Sequence, residues 1–72
     1  MKSELRIGSL INDGGTIGVI TNVIEQGKWT EGGPFVLTKN YEIRYSCGQV
    51  TVMSEHSMAR LIERGIIDVL SY

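Results

Sequence analysis

Three features of this chain invite a chemical reading: a glycine-rich stretch, a lone histidine and cysteine, and a group of aromatic and basic side chains. The stretch Asn12-Asp13-Gly14-Gly15-Thr16-Ile17-Gly18 is the first. Glycines ahead of an apolar run build either a phosphate-cradling loop or the tight turn of a β-hairpin. A Walker loop needs Gly, four residues and then Gly-Lys-Ser/Thr, and here Gly18 is followed by Val19. A dinucleotide fingerprint must open onto a helix whose N-terminus meets the pyrophosphate, and these glycines open onto the β-branched run Ile17 to Ile24. The stretch reads as a hairpin turn.

His56, in Ser54-Glu55-His56-Ser57, suggests a Ser–His–acid relay on paper. Side chains at successive helical positions point apart, so these neighbours cannot relay a proton among themselves. The histidine is expected at the surface or at a helix cap. Cys47 has no partner for an internal disulfide and belongs to no cysteine pair of the kind that holds zinc. It falls in phase with Tyr41, Ile43 and Tyr45, so a buried structural thiol is expected. These readings give no enzyme, no cofactor and no metal site.

The remaining set lies between Lys28 and Arg44. Trp29 and Phe35 flank a Gly-Gly-Pro turn, with Lys28, Lys39 and Arg44 nearby. Aromatic anchors beside orienting charges suit a binding surface, with Lys28, Trp29, Phe35, Lys39 and Arg44 as its candidate residues. Tryptophan in a polar, glycine-rich connection serves either as such an anchor or as a lid over the protein's own core. Nucleic acid is one candidate ligand, through basic contacts to phosphate and stacking on the two rings. Glu25, Glu31 and Glu42 interleave with the same residues, and the isoelectric point of about 5.7 lies far from that of a dedicated nucleic-acid binder. A protein partner is therefore the preferred expectation, and nucleic acid the alternative.

The elements that must carry these residues follow from periodicity. Leu5 to Ile11 is a short strand candidate interrupted at Gly8. Beyond the turn, Ile17, Val19, Thr21 and Val23 fall on one face of a strand, and Gly18, Ile20, Asn22 and Ile24 on the other. Gln26 to Asn40 reads equally as a long hairpin arm or as a structured loop. Tyr41, Ile43, Tyr45 and Cys47 alternate with Glu42, Arg44 and Ser46 as the inward and outward faces of a further strand. Gln49 to Met53 is another strand. Period two then yields to helical spacing at Met58, Leu61 and Ile62, with Ser54 or Ser57 as the cap and Gly65 as the stop. Ile66 to Tyr72 closes the order as a terminal strand.

All of this fits one domain spanning 1–72. With 42% hydrophobic and 21% charged residues the composition is that of a folded globular chain. The formal charge of −1 and the absence of any like-charge run give no nucleic-acid-binding tail. Nothing approaches the ~20 apolar residues needed to cross a bilayer. A chain this short buries only about 60% of its unfolded surface, so apolar faces tend to seek partners. The C-terminal Ile66-Ile67-Asp68-Val69-Leu70 is a candidate for extending a sheet across a homo-oligomer.

The stretches Ile7 to Gly27 and Tyr41 to Ile62 together resemble the Src-homology-3-like (SH3-like) small β-barrels encoded as accessory proteins by tailed phages. The first hairpin is also similar to the KOW motif of ribosomal and transcription-factor proteins, on Gly18 and the Ile17, Val19, Thr21, Val23 series. The resemblance implies a mainly β fold, a small five-stranded SH3-like barrel with one short α-helix before the last strand. It implies a non-enzymatic binding or structural module in the cytoplasm of a bacterium or a phage-infected host.

Overall fold

In a computed structural model, which describes residues 4–72, the chain forms one five-stranded antiparallel sheet and one helix. The elements are β1 (Leu10–Asp13), β2 (Thr16–Trp29), β3 (Phe35–Tyr45), β4 (Val50–Ser54), α1 (Glu55–Glu63) and β5 (Ile67–Ser71). The strand order is β4-β3-β2-β1-β5, which leaves β4 and β5 as the two edges. The mainly β architecture with a helix before the last strand is as expected. The ladder, however, is not closed: β4 and β5 are linked by α1 and do not pair with each other.

The glycine-rich stretch is a hairpin turn. Gly14 and Gly15 have φ of 60° and 97°, the pattern of a two-residue type I′ turn. Asn12 Oδ1 accepts the Gly15 N–H at 2.9 Å and fixes the reversal. The strand expected from Leu5 is shorter than its composition suggests. Leu5 to Ser9 folds as a turn at Gly8, closed by Ser9 N–H to Arg6 C=O at 2.9 Å and by the Arg6 N–H to Ser9 Oγ at 2.9 Å. Ser9 is fully buried, and its hydroxyl also reaches the Tyr72 carbonyl at 3.5 Å, tying the first and last described segments together.

β2 changes phase part-way. Its register with β3 slips between Ile20 and Asn22, so Thr21 is the extra residue of a β-bulge. Before the bulge Gly18 and Ile20 face the core; beyond it Val23 does. The single apolar face expected for Ile17, Val19, Thr21 and Val23 is thus split. Ile17 is exposed, and Thr21 Oγ1 donates to the Glu42 carboxylate at 2.9 Å on the outer face.

β3 follows its predicted alternation through Tyr41, Ile43 and Tyr45, all buried. It stops there. Gly48, at φ 94°, turns the chain, and Gly48 N–H donates to Tyr45 C=O at 2.9 Å. Cys47 lies in this turn and is exposed, which corrects the expectation of a buried thiol. Period two cannot place a residue once the strand has ended.

The core is Leu5, Ile11, Ile20, Tyr41, Ile43, Tyr45, Met58 and Ile67, with Leu61, Ile62, Val23, Met53 and Val69 packed at its margin. α1 covers it through the expected Met58, Leu61, Ile62 stripe. Ser54 caps the helix, its Oγ accepting the Ser57 N–H at 3.2 Å. At the other end Ile66 N–H bonds to Leu61 C=O and Gly65 N–H to Ile62 C=O, both at 3.0 Å, with Gly65 at φ 76°. That is a Schellman stop, which needs a left-handed residue where the glycine stands.

Candidate functional site: an aromatic-tipped hairpin arm

The segment Gln26 to Asn40 is a hairpin arm and not a loop. The β2–β3 ladder continues unbroken from Val23↔Tyr41 through Glu25↔Lys39 and Gly27↔Leu37 to Trp29↔Phe35. Val23↔Tyr41 is the last pair in contact with the core, so the arm runs about 20 Å past it at ~3.3 Å per residue. The arm helps give the molecule its elongated extents of 43 × 26 × 19 Å. Its turn is held by Gly33 N–H to Thr30 C=O at 3.1 Å and by Thr30 Oγ1 to the Pro34 carbonyl at 2.8 Å.

Opposed residues of an antiparallel pair share a face. Trp29, Phe35 and Leu37 therefore continue the same face of the sheet that Tyr41 and Ile43 present to the core. In the body that face is covered by α1; on the arm nothing among the described residues covers it. Trp29 is 76% exposed and Leu37 62%. The rings of Trp29 and Phe35 are tilted against each other with centroids 5.1 Å apart, a favourable aromatic arrangement. Gly27 makes this packing feasible, because the Phe35 ring lies where a Cβ at position 27 would stand.

Between tip and core sits Lys39. Its ammonium lies 3.5 Å from Glu4, 3.8 Å from Glu25 and 3.8 Å from Glu55. Desolvation pulls its pKa down, but Glu4, Tyr41 and Glu55 outweigh this and hold it above the ordinary lysine value. Lys39 thus joins the N-terminal segment, the base of the arm and the start of α1. Its charge is spent inside the molecule. Tyr41, beside it, is raised by burial and by the Glu55 carboxylate that its hydroxyl meets at 3.4 Å.

Of the five residues singled out in the sequence, only Trp29 and Phe35 come together as a contact surface. Lys28 pairs with Val36 and so presents to the opposite face of the arm from Trp29. Arg44 is on that same outer face but near the far end of β3 from Phe35, about 30 Å away by strand rise. The two aromatic rings and the cations Lys28 and Arg44 therefore occupy opposite faces. Leu37 is the tip residue that sequence reasoning passed over. Its signal was its place two positions from Phe35 on the same face, legible only once the arm is known to be paired.

The reactive side chains are dispersed. Cys47 is in the β3–β4 turn and His56 at the start of α1, at opposite ends of β4, about 17 Å apart by strand rise. The tyrosine with the largest shift is Tyr45, buried and donating to Asp13 at 2.8 Å; burial first, then this carboxylate, push its pKa up to about 12. Among the described residues no group of His, Cys, Asp and Glu is arranged to hold a metal ion.

No protein-family model, no curated protein and no solved structure matches the chain. Fold and site define it only as a class: a small mainly β sheet with a helix-covered core and a protruding, aromatic-tipped hairpin.

Proposed function

We propose that the chain is a non-enzymatic binding module that engages a protein partner through the tip of the β2–β3 arm. One observation carries this reading. Trp29 and Phe35 pack against each other, tilted, on an exposed ribbon that extends a core face past the point where the protein's own core ends. Trp29 is no lid, since its ring sits beyond the last core contact. Exposed, mutually packed aromatics with few rotatable bonds are the side chains that anchor interfaces at low entropic cost. They suit an apolar socket on a folded partner. Nucleic acid has less support, because Lys28 and Arg44 lie on the face opposite the rings, and Lys39, on the rings' own face, is paired with three carboxylates.

For the architecture we propose an SH3-like small barrel in an open form. The β5-β1-β2-β3-β4 order, the long second strand shared between both halves and the bulge that bends it at Thr21 support that relationship. The phage-accessory and cytoplasmic setting is proposed on the resemblance of the stretches Ile7 to Gly27 and Tyr41 to Ile62 alone.

The test is the Trp29→Ala/Phe35→Ala double variant used as bait in host extract beside the wild type. A specific protein retained by the wild type should be lost from the variant, with the far-ultraviolet circular dichroism and melting temperature unchanged. Equal retention by both would discard the tip as the contact surface, and unfolding of the variant would reassign both rings to the core.

A further inference from the structure

A different surface, the outer face of the sheet body, carries a pattern that matches itself. Val19, Arg44 and Val50 form one cross-strand row on β2, β3 and β4, and Asn22, Glu42 and Val52 form the next. All point away from the core, because Gly18, Ile43 and Tyr45 alternate with them inward. Val50 and Val52, on the edge strand β4, are 48% and 58% exposed, and Ile17 on β2 is 40% exposed. β-branched apolar side chains are thus left in water on both sides of a central charged strand. Among the described residues Arg44 makes no ion pair or side-chain hydrogen bond, although Glu42 is two positions away on the same face. Glu42 is turned to Thr21 instead, its carboxylate accepting that hydroxyl at 2.9 Å.

We infer that this face is an isologous interface with a second copy of the chain. The charges select the symmetry. A two-fold axis running along the strands would lay Arg44 on Arg44 of the other copy, and like charges brought together oppose binding. An axis in the plane of the face but across the strands, midway between the two rows, lays Arg44 on Glu42 of the other copy and Glu42 on its Arg44. The same operation places Val50 over Val52 on both sides, apolar on apolar. Closed two-fold dimers demand this kind of self-complementary patch, and aligned sheet packing accommodates its twist at about −30°. Each copy keeps its aromatic arm free, so the dimer is bivalent for any partner of the tip. This inference does not depend on what the tip binds.

The experiment is sedimentation velocity with native mass spectrometry on four samples: wild type, Arg44→Glu, Glu42→Arg, and an equimolar mixture of the two variants. The wild type should show concentration-dependent dimer. Each variant alone should be monomeric at the same concentration, since each interface then opposes two pairs of like charge. The mixture should recover a heterodimer, because a chain with two acids then faces a chain with two arginines. Val52→Thr, which keeps strand propensity and changes no charge, should weaken the dimer, and Trp29→Ala/Phe35→Ala should leave it intact. Three results would overturn the inference. The wild type could stay monomeric at every concentration. Arg44→Glu could remain dimeric, as expected if the C-terminal strand edge makes the contact. Two folded variants could fail to associate when mixed.

Discussion

Gly18 and Gly27 sit in the same strand, yet a methyl group added at each would meet different neighbours. At Gly18 the new Cβ would come within 2.8 Å of Ile43 Cγ2 and 3.0 Å of the Tyr45 ring, inside the core. Both neighbours are themselves buried, so Gly18→Ala should cost about 1–3 kcal/mol as overpacking, read in denaturant melts. At Gly27 the obstacle is the far end of the half-exposed Phe35 side chain, which can move aside into solvent. Gly27→Ala should leave the melting temperature nearly unchanged and separate Phe35 from Trp29, seen as a change in the near-ultraviolet signal of the only tryptophan. Tyr45 makes the third residue-scale prediction. Its folded pKa is raised to about 12, by burial first and then by Asp13, from the ordinary tyrosine value of 10.0. A phenol that holds its proton longer when folded stabilises the fold fully below pH 10 and loses that contribution as pH rises through 12. Tyr45→Phe should flatten the alkaline fall in stability between those limits. Some fall should remain, because Tyr41 is also raised.

At the scale of elements, α1 depends on its ends, because a helix of nine residues is too short to persist without capping and docking. Ser54→Ala removes the acceptor for Ser57 N–H and should cost about 1 kcal/mol. In a domain this small that is a fall of roughly 4–8 °C in melting temperature. The helix and its caps were legible in the sequence, because cap chemistry and 3.6-residue spacing are local. So was the Gly14-Gly15 turn, and so was the inward set Tyr41, Ile43, Tyr45. The Thr21 bulge was not, since a bulge is a mismatch between two strands and no single strand records it. Its consequence is that Val23, and not Ile24, reaches the core. The extension of the same alternation to Cys47 failed for a related reason: Gly48 ends the strand before position 47 can be paired. In the candidate site Trp29 and Phe35 were legible as aromatic residues flanking a turn, with anchor and lid both open for Trp29; their exposure is seen only in the structure. Which face each basic residue occupies was not legible either, because that depends on the β2–β3 register past the bulge.

For the molecule as a whole, the governing fact is that one sheet is longer than the core it covers. Among the described residues, eight buried apolar side chains and one helix complete the body, while the β2–β3 ribbon runs on beyond them with Trp29, Phe35 and Leu37 on a face that none of those residues covers. The ladder is left with two edges and an outward face bearing Val50 and Val52. Small domains generally compensate for such surface by association. The dimer inferred for the outer face and the partner proposed for the tip use different parts of the molecule, so variants of one should leave the other unchanged. That the tip is a docking element, separate from the folding core, is the claim on which the functional reading depends. It is tested most directly by collisional quenching of Trp29 fluorescence with acrylamide, in the free protein and in complex with a purified partner. Ready quenching is expected in the free protein and strong protection in the complex. Protection already present in the free monomer, or quenching unaltered by a saturating partner, would contradict it.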